Sequence, residues 1–179
     1  MLADQWIFGY GSLVWRPAFP YLERAPGFVV GWTRRFWQAS PDHRGTPESP
    51  GRVVTLLEAS DAICWGMGYR VAERDLDEIL PALDYREKAG YRRETAAIYF
   101  RDRHEPVDRA LLYIAGPDNP NFVGERPLAE IAGVIARSHG PSGANRDYVT
   151  SLHAALVEMG GRDDHVAAVA ALVDRPGAE

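Results

Sequence analysis

A chain of 179 residues with 46% hydrophobic and 25% charged side chains has the size and composition of one soluble globular domain, spanning 1–179 and able to bury a core without cross-links. Its formal net charge of -5, with Lys and Arg scattered rather than clustered, gives it no electrostatic reason to seek nucleic acid or anionic lipid. A single cysteine, Cys64, excludes an intrachain disulfide and any CxxC metal pattern; the first residues lack the basic and apolar regions of a signal peptide; and no apolar stretch approaches the ~18 residues of a membrane span, so the expected setting is a reducing cytosol.

In chain order, Trp6-Ile7-Phe8 reads as a short apolar strand ended by Gly9 and Gly11. Phe28 to Trp37, rich in aromatic and β-branched residues and interrupted by Gly31, reads as the second strand. A polar loop from Ser40 to Gly51 follows, punctuated by Pro41, Gly45, Pro47 and Pro50. Arg52 to Glu58 and Ile63 to Val71 read as a hairpin turning near Ser60-Asp61, with Gly66 and Gly68 signalling a bulge or a close backbone approach. From Glu73 to about Glu87, Leu76, Ile79, Leu80 and Leu83 recur at i, i+3, i+4 and i+7, which predicts a helix kinked or split at Pro81. Tyr91 to Phe100 and Val107 to Ile114 read as two more strands. After a Gly/Pro/Asn-rich loop, Leu128, Ile131 and Ile135 mark one helix. Tyr148, Val149, Leu152, Leu156 and Met159 mark another, and Asp163 to Val173 a third. Strands followed by helices predict an α+β fold: a small curved or barrel-like sheet flanked by helices, with a helical C-terminal segment.

Two segments carry candidate chemistry. In Gly9-Tyr10-Gly11-Ser12-Leu13-Val14, two glycines directly after an apolar strand let the backbone turn tightly and present successive N–H groups, a nest for anionic oxygens. Val14 spoils a GxGxxG fingerprint, and Ser12 lacks the Gly-x-Ser-x-Gly frame of a nucleophile elbow. The same residues also fit an ordinary strand-to-loop turn. The second segment holds Glu87, four residues after Leu83. If the helix persists, this carboxylate lies on the apolar face, where desolvation raises its pKa toward neutrality, as suits a general base. If the helix ends at a Gly90 cap, Glu87 is a solvated acid beside Arg86 or Lys88. Asp84 lies one position off the stripe and reads as peripheral.

Other candidates point to structure. The five histidines never fall at ligand spacing such as HxxxH, so no metal site is expected. Asp163-Asp164-His165 reads as a solvated helix start, and Cys64, between Ile63 and Trp65, as a buried inert thiol. Arg34 and Arg35 alternate with aromatics, so one of them can face inward, although solvent is the default for an arginine.

Taken together, these segments resemble the ChaC family of γ-glutamylcyclotransferases over nearly the whole chain. Phe8-Gly9-Tyr10-Gly11-Ser12-Leu13-Val14-Trp15 resembles the family's substrate-binding loop, and Gly31-Trp32-Thr33-Arg34-Arg35-Phe36 its second strand. Arg44-Gly45-Thr46-Pro47 with Pro50-Gly51 is similar to its mobile loop, Leu83 to Lys88 to the segment holding the catalytic glutamate, and Gly140 to Tyr148 to its helix-start motif. One departure is visible: Ala89-Gly90-Tyr91 stands where the family has Gly-Gly-Tyr, a change that removes no functional group. The resemblance implies a compact γ-glutamylcyclotransferase-like fold that works without metal or organic cofactor. It implies that glutathione is cleaved to 5-oxoproline and cysteinylglycine by attack of its α-amine on the γ-carbonyl. Glu87 is then the base and acid, and Gly9, Tyr10, Gly11, Ser12, Leu13, Val14, Arg35 and Tyr91 are the substrate contacts. A broader γ-glutamyl amino acid enzyme and a non-catalytic γ-glutamyl binding module are the alternatives; a carboxylate at Glu87 argues against the module, which needs no proton carrier.

Overall fold

The computed structural model describes residues 4–86 and 90–174. Five strands close into a barrel in the order β1 (Gln5–Gly9), β3 (Gly51–Val71), β2 (Glu23–Ser40), β4 (Arg92–Phe100), β5 (Val107–Ile114). Neighbours are antiparallel except at the closure, where β1 meets β5 in parallel at Ile7 and Leu111. Alternation along each strand separates two apolar faces. Trp6 and Phe8 of β1, with Ala110, Leu112 and Ile114 of β5, belong to the main core, whereas Ile7, Leu111 and Tyr113 face a smaller second core.

Helix α1 (Leu76–Arg86) lies over that second core, burying Ile79 and Leu83 against Ile7, Leu13, Val71 and Tyr113. The helix runs through Pro81 unbroken rather than being split there. Proline deprives the Asp77 carbonyl of its partner, and Asp77 is exposed, so water can serve that carbonyl instead.

The expected hairpin at Ser60-Asp61 does not form: β3 continues through it as one strand of 21 residues. Both flanks pair with the same partner, β2, so the small and polar residues between them are absorbed as a bulge. Val30 pairs with Ile63 and Trp32 with Glu58, with Gly31 at φ 87° and Asp61 at φ 63° taking up the mismatch. Gly66 and Gly68 mark close approach instead of a bulge. A Cβ on Gly66 would stand 2.3 Å from the Gly9 carbonyl oxygen, and one on Gly68 would stand 2.9 Å from the Phe100 ring.

The outer halves of β2 and β3 are covered by α2 (Leu128–Arg137), α3 (Asn145–Glu158) and α4 (Asp164–Val173), with a two-stranded ribbon, β6 (His139–Gly140) and β7 (Gly143–Ala144), between α2 and α3. Ile131, Ile135, Tyr148, Leu152, Val166 and Val169 join Phe36, Val54 and Leu56 in the main core. A buried polar cluster fixes α4 to β2. Arg34, with 1% of its surface exposed, donates to Asp163 Oδ2 at 3.1 Å, to the Trp65 carbonyl and to Cys64 Sγ. Asp163 also caps α4 by accepting from Val166 N–H at 3.0 Å. The expected solvated helix start is therefore a helix start with a structural ion pair: Asp163 is shielded, and half-buried His165 stacks on Phe36. Cys64 is buried, and burial pushes its thiol pKa up. Among the described residues no helix is long and apolar enough to cross a membrane.

Candidate active site

The turn after β1 is shaped by three contacts. Gly9 has no room for a side chain, because a Cβ there would stand 2.6 Å from Leu13 Cβ. The Val14 N–H donates to the Gly11 carbonyl at 3.0 Å, closing a 3-10 turn over Ser12–Val14. Buried Tyr69 donates its hydroxyl to the Leu13 carbonyl at 2.6 Å; burial pushes its pKa up to about 12, so it stays a donor at neutral pH. A cavity of about 310 Å³ opens beside this turn. Tyr10, Gly11, Ser12 and Leu13 line it, together with Trp15 and Arg16. Gly9 and Val14 do not: Gly9 pairs with Met67 of β3, and Val14 lies in the core.

The opposite wall comes from the end of β2 and the loop 41–50. Gln38, Ala39, Ser40, Asp42, His43 and Arg44 reach the cavity. Gln38 is buried and donates from Nε2 to Asn119 Oδ1 at 3.0 Å. Arg44 is held at its backbone by Ser40 Oγ, 3.0 Å from its N–H, and at its side chain by the Ala144 carbonyl, 3.0 Å from Nη1. Its guanidinium lies 5.7 Å over the Tyr148 ring. Burial pushes the Arg44 pKa down, but an arginine stays charged at any working pH. Tyr148 also lines the cavity and stands against Gly11, where a Cβ would meet its hydroxyl at 2.8 Å.

Tyr91 and Tyr113 complete the wall. The Tyr113 hydroxyl donates to Asp84 Oδ1 at 3.0 Å, and its carbonyl accepts from the Tyr10 hydroxyl at 2.7 Å. Arg93 forms a two-point ion pair with Asp84 and holds that carboxyl below the usual range. Asp84 therefore stays ionised and is a poor proton carrier at neutral pH. Gly90, just before Tyr91, has φ 87°, and a Cβ there would stand 2.6 Å from Asn119 Nδ2.

Of the residues expected to contact substrate, Tyr10, Gly11, Ser12, Leu13 and Tyr91 come together around this cavity, while Gly9 and Val14 stand behind it. Arg35 does not reach it: that side chain borders a separate depression with Arg34, Asp163 and His165, and its Nη1 donates to the Arg34 carbonyl at 2.7 Å. Glu87 lies outside the described residues. Sequence reasoning passed over Arg44, Gln38 and Tyr148. Arg44 entered only as part of the mobile-loop resemblance, in a Gly/Pro-rich loop with no sign of burial, and Tyr148 only through the helix-start motif and the periodicity of a core helix position. Among the described residues, no group of three or more His, Cys, Asp or Glu is placed to hold a metal ion.

The model of the ChaC-like protein family matches residues 5–176. The chain belongs to the ChaC family. It is 45% identical over 168 residues to a plant relative, gamma-glutamylcyclotransferase 2-3 of Arabidopsis thaliana, covering 90% of this chain and 84% of that one. It is 42% identical over 169 residues to glutathione-specific gamma-glutamylcyclotransferase 1 of Homo sapiens, covering 92% and 76%. The crystal structure of the yeast gamma-glutamylcyclotransferase specific to glutathione superposes with a TM-score of 0.88 at 30% identity, covering 97% of this chain and 96% of the yeast one. The closed barrel with flanking helices is thus the γ-glutamylcyclotransferase fold, as the ChaC resemblance implied.

Proposed function

We propose that this chain, as one domain spanning 1–179, is a cytoplasmic glutathione-specific γ-glutamylcyclotransferase that converts glutathione to 5-oxoproline and cysteinylglycine without a cofactor. The observation that carries the reading is the meeting of the Tyr10–Leu13 turn, Tyr91 and Arg44 around one cavity in a ChaC-family chain. The names of the plant, human and yeast relatives support the substrate and reaction.

In this reading the substrate's α-amine attacks its own γ-carbonyl carbon. A new C–N bond closes a five-membered ring, the γ-amide C–N bond breaks, and cysteinylglycine leaves as a free amine. No external nucleophile is needed. The amine is mostly ammonium at neutral pH, so a base must remove its proton, and an acid must protonate the departing nitrogen. In this reading Glu87 does both in turn, taking the proton from the amine and returning it to the departing nitrogen. In sequence it stands between Asp84, bonded to Tyr113, and Tyr91, and both tyrosines line the cavity. Backbone N–H groups of the Tyr10–Leu13 turn, the part of the segment that lines the cavity, stabilise the substrate oxygens, including the tetrahedral oxyanion. The walls fold the flexible glutamyl chain into attack geometry, which removes much of the entropic part of the barrier.

The test is purified protein with glutathione, assayed for 5-oxoproline and cysteinylglycine in equal amounts. Failure to form 5-oxoproline sinks the reading. Binding of glutathione with no turnover favours a binding module.

A further inference from the structure

Arg44 is buried more deeply than its loop explains. In the loop 41–50 most residues are exposed, yet Arg44 keeps only 9% of its surface. A guanidinium withdrawn from water needs a carboxylate or several acceptors to offset its lost hydration. Arg44 has the Ala144 carbonyl and the face of Tyr148. Among the described residues no carboxylate stands within ion-pair distance of it. Asp147 acts on it only at longer range. Arg16, on the cavity wall and exposed, likewise has no ion-pair partner among the described residues. The cavity is thus lined by two cations, Arg44 and Arg16, that have no carboxylate within ion-pair distance among the described residues.

The seat of Arg44 is built from close backbone packing. A Cβ on Gly51 would stand 2.4 Å from the Arg44 carbonyl oxygen. One on Gly45 would stand 2.2 Å from the Gly51 nitrogen, and one on Gly140 would stand 2.5 Å from the Gly45 nitrogen. The Ser142 N–H donates to the His43 carbonyl at 2.9 Å and ties the loop to the β6–β7 ribbon. Tyr148 then separates two anion-binding elements: its hydroxyl end meets Gly11 of the turn, and its ring face lies under the Arg44 guanidinium. A ligand with one carboxylate satisfies one element. A ligand with a carboxylate at each end satisfies both.

We propose that Arg44 binds the C-terminal carboxylate of the tripeptide substrate, at the end opposite the γ-glutamyl group held by the Tyr10–Leu13 turn, with Arg16 adding attraction across the cavity. The proposal rests on the cyclotransferase reading above. It makes a carboxylate two residues beyond the scissile amide a specificity determinant. A guanidinium pairs a carboxylate through two parallel hydrogen bonds, and a site built for such a partner rejects an analogue that lacks it by leaving a buried charge unpaired. γ-Glutamylcysteine, whose carboxylate stands one residue short, falls in the rejected class.

The decisive comparison is glutathione against its C-terminal amide, with the intact chain, in wild type, Arg44→Lys and Arg44→Met. In wild type, kcat/KM for the amide is expected to be about a hundredfold lower, in the range seen when one member of a buried charged pair is removed. In Arg44→Met the preference collapses to within about threefold, because glutathione loses its advantage; Arg44→Lys, which keeps the charge without the fork, is intermediate. A wild-type ratio near one overturns the proposal and needs no variant to fold. So does a preference that survives in Arg44→Met, or an equal loss on both substrates, which moves Arg44 to the γ-glutamyl end. Titration of wild type with the two peptides separates the two readings. If neither peptide is turned over, the reaction falls, while tighter binding of the acid than of the amide still upholds the Arg44 contact and equal binding removes it.

Discussion

The side-chain amide of Asn145 brackets the backbone of Arg52: Oδ1 accepts from the Arg52 N–H at 2.6 Å, and Nδ2 donates to the Arg52 carbonyl at 2.8 Å. A fully buried side chain at the start of α3 thus does for β3 what a neighbouring strand would do, two residues beyond the loop 41–50 that carries Arg44. Asn145→Ala leaves two shielded backbone groups unpaired, at about 1–3 kcal/mol each. The expected result is a melting temperature lower by roughly 5–15 °C and a raised KM for glutathione as the seat of Arg44 loosens. Wild-type melting and KM in this variant would show that the clamp is dispensable.

Glu87→Gln is nearly isosteric but cannot take up and return a proton. Turnover should fall by about a thousandfold or more, the upper part of the range for a lost general acid–base. Melting temperature and glutathione binding should stay near wild type. Activity within a few-fold of wild type removes Glu87 from the proton-transfer role.

Asp163 holds the buried Arg34 and caps α4 with the same carboxylate. Asp163→Ala strands the charge and uncaps the helix, at a combined cost of roughly 4–6 kcal/mol. The double variant Arg34→Met with Asp163→Ala should recover part of that loss, because the stranded charge is gone. Denaturant unfolding of the two variants is the measurement, and a double variant no more stable than Asp163→Ala would refute the pairing.

His165 links stability to pH. Its Nε2 accepts from the Phe36 N–H at 3.1 Å, which requires the neutral ring. Burial, helped by Arg35, lowers its pKa from 6.5 to about 4. The unfolded chain therefore binds a proton that the folded chain refuses. The contribution of His165 is complete above pH 6.5 and is lost as pH falls from there toward 4, by roughly 2–4 kcal/mol in all. Unfolding free energies measured from pH 7 to 4.5 should slope downward more steeply in wild type than in His165→Gln; parallel curves would show that His165 titrates normally.

Strand and helix positions were legible wherever one segment's periodicity decided them, as in Val107–Ile114, Leu128–Arg137 and the Leu76–Leu83 stripe. The long β3 was not, because Ala59-Ser60-Asp61-Ala62 carries turn chemistry. What keeps the strand going is a distant fact, the pairing of both its halves with β2. The turn at Tyr10–Leu13 was legible because paired glycines after an apolar strand signal an unusual backbone. Arg44 was not, since its burial depends on Gly51, Gly140 and Tyr148, which converge only in three dimensions. Arg34 and Arg35 show the same limit: strand alternation says that neighbours face opposite ways, but not which of the two finds Asp163.

The parallel closure of the barrel has a temporal side. Strand β1 pairs with β3, about sixty residues later in the chain, and with β5, about a hundred residues later. On a ribosome the long β2–β3 hairpin can zip from residues already made and β1 can add to β3 once Val71 is made, whereas the closure of the barrel waits until the chain through Leu111 has emerged. The support of the turn attached to β1 waits with that closure. Its Leu13 rests on the second core, whose Tyr113 belongs to β5, and its Tyr10 hydroxyl bonds that same residue. The substrate-facing turn, near the beginning of the sequence, thus gains its full support only after more than a hundred residues have been made, and a nascent chain cannot present the finished cavity before its barrel is closed.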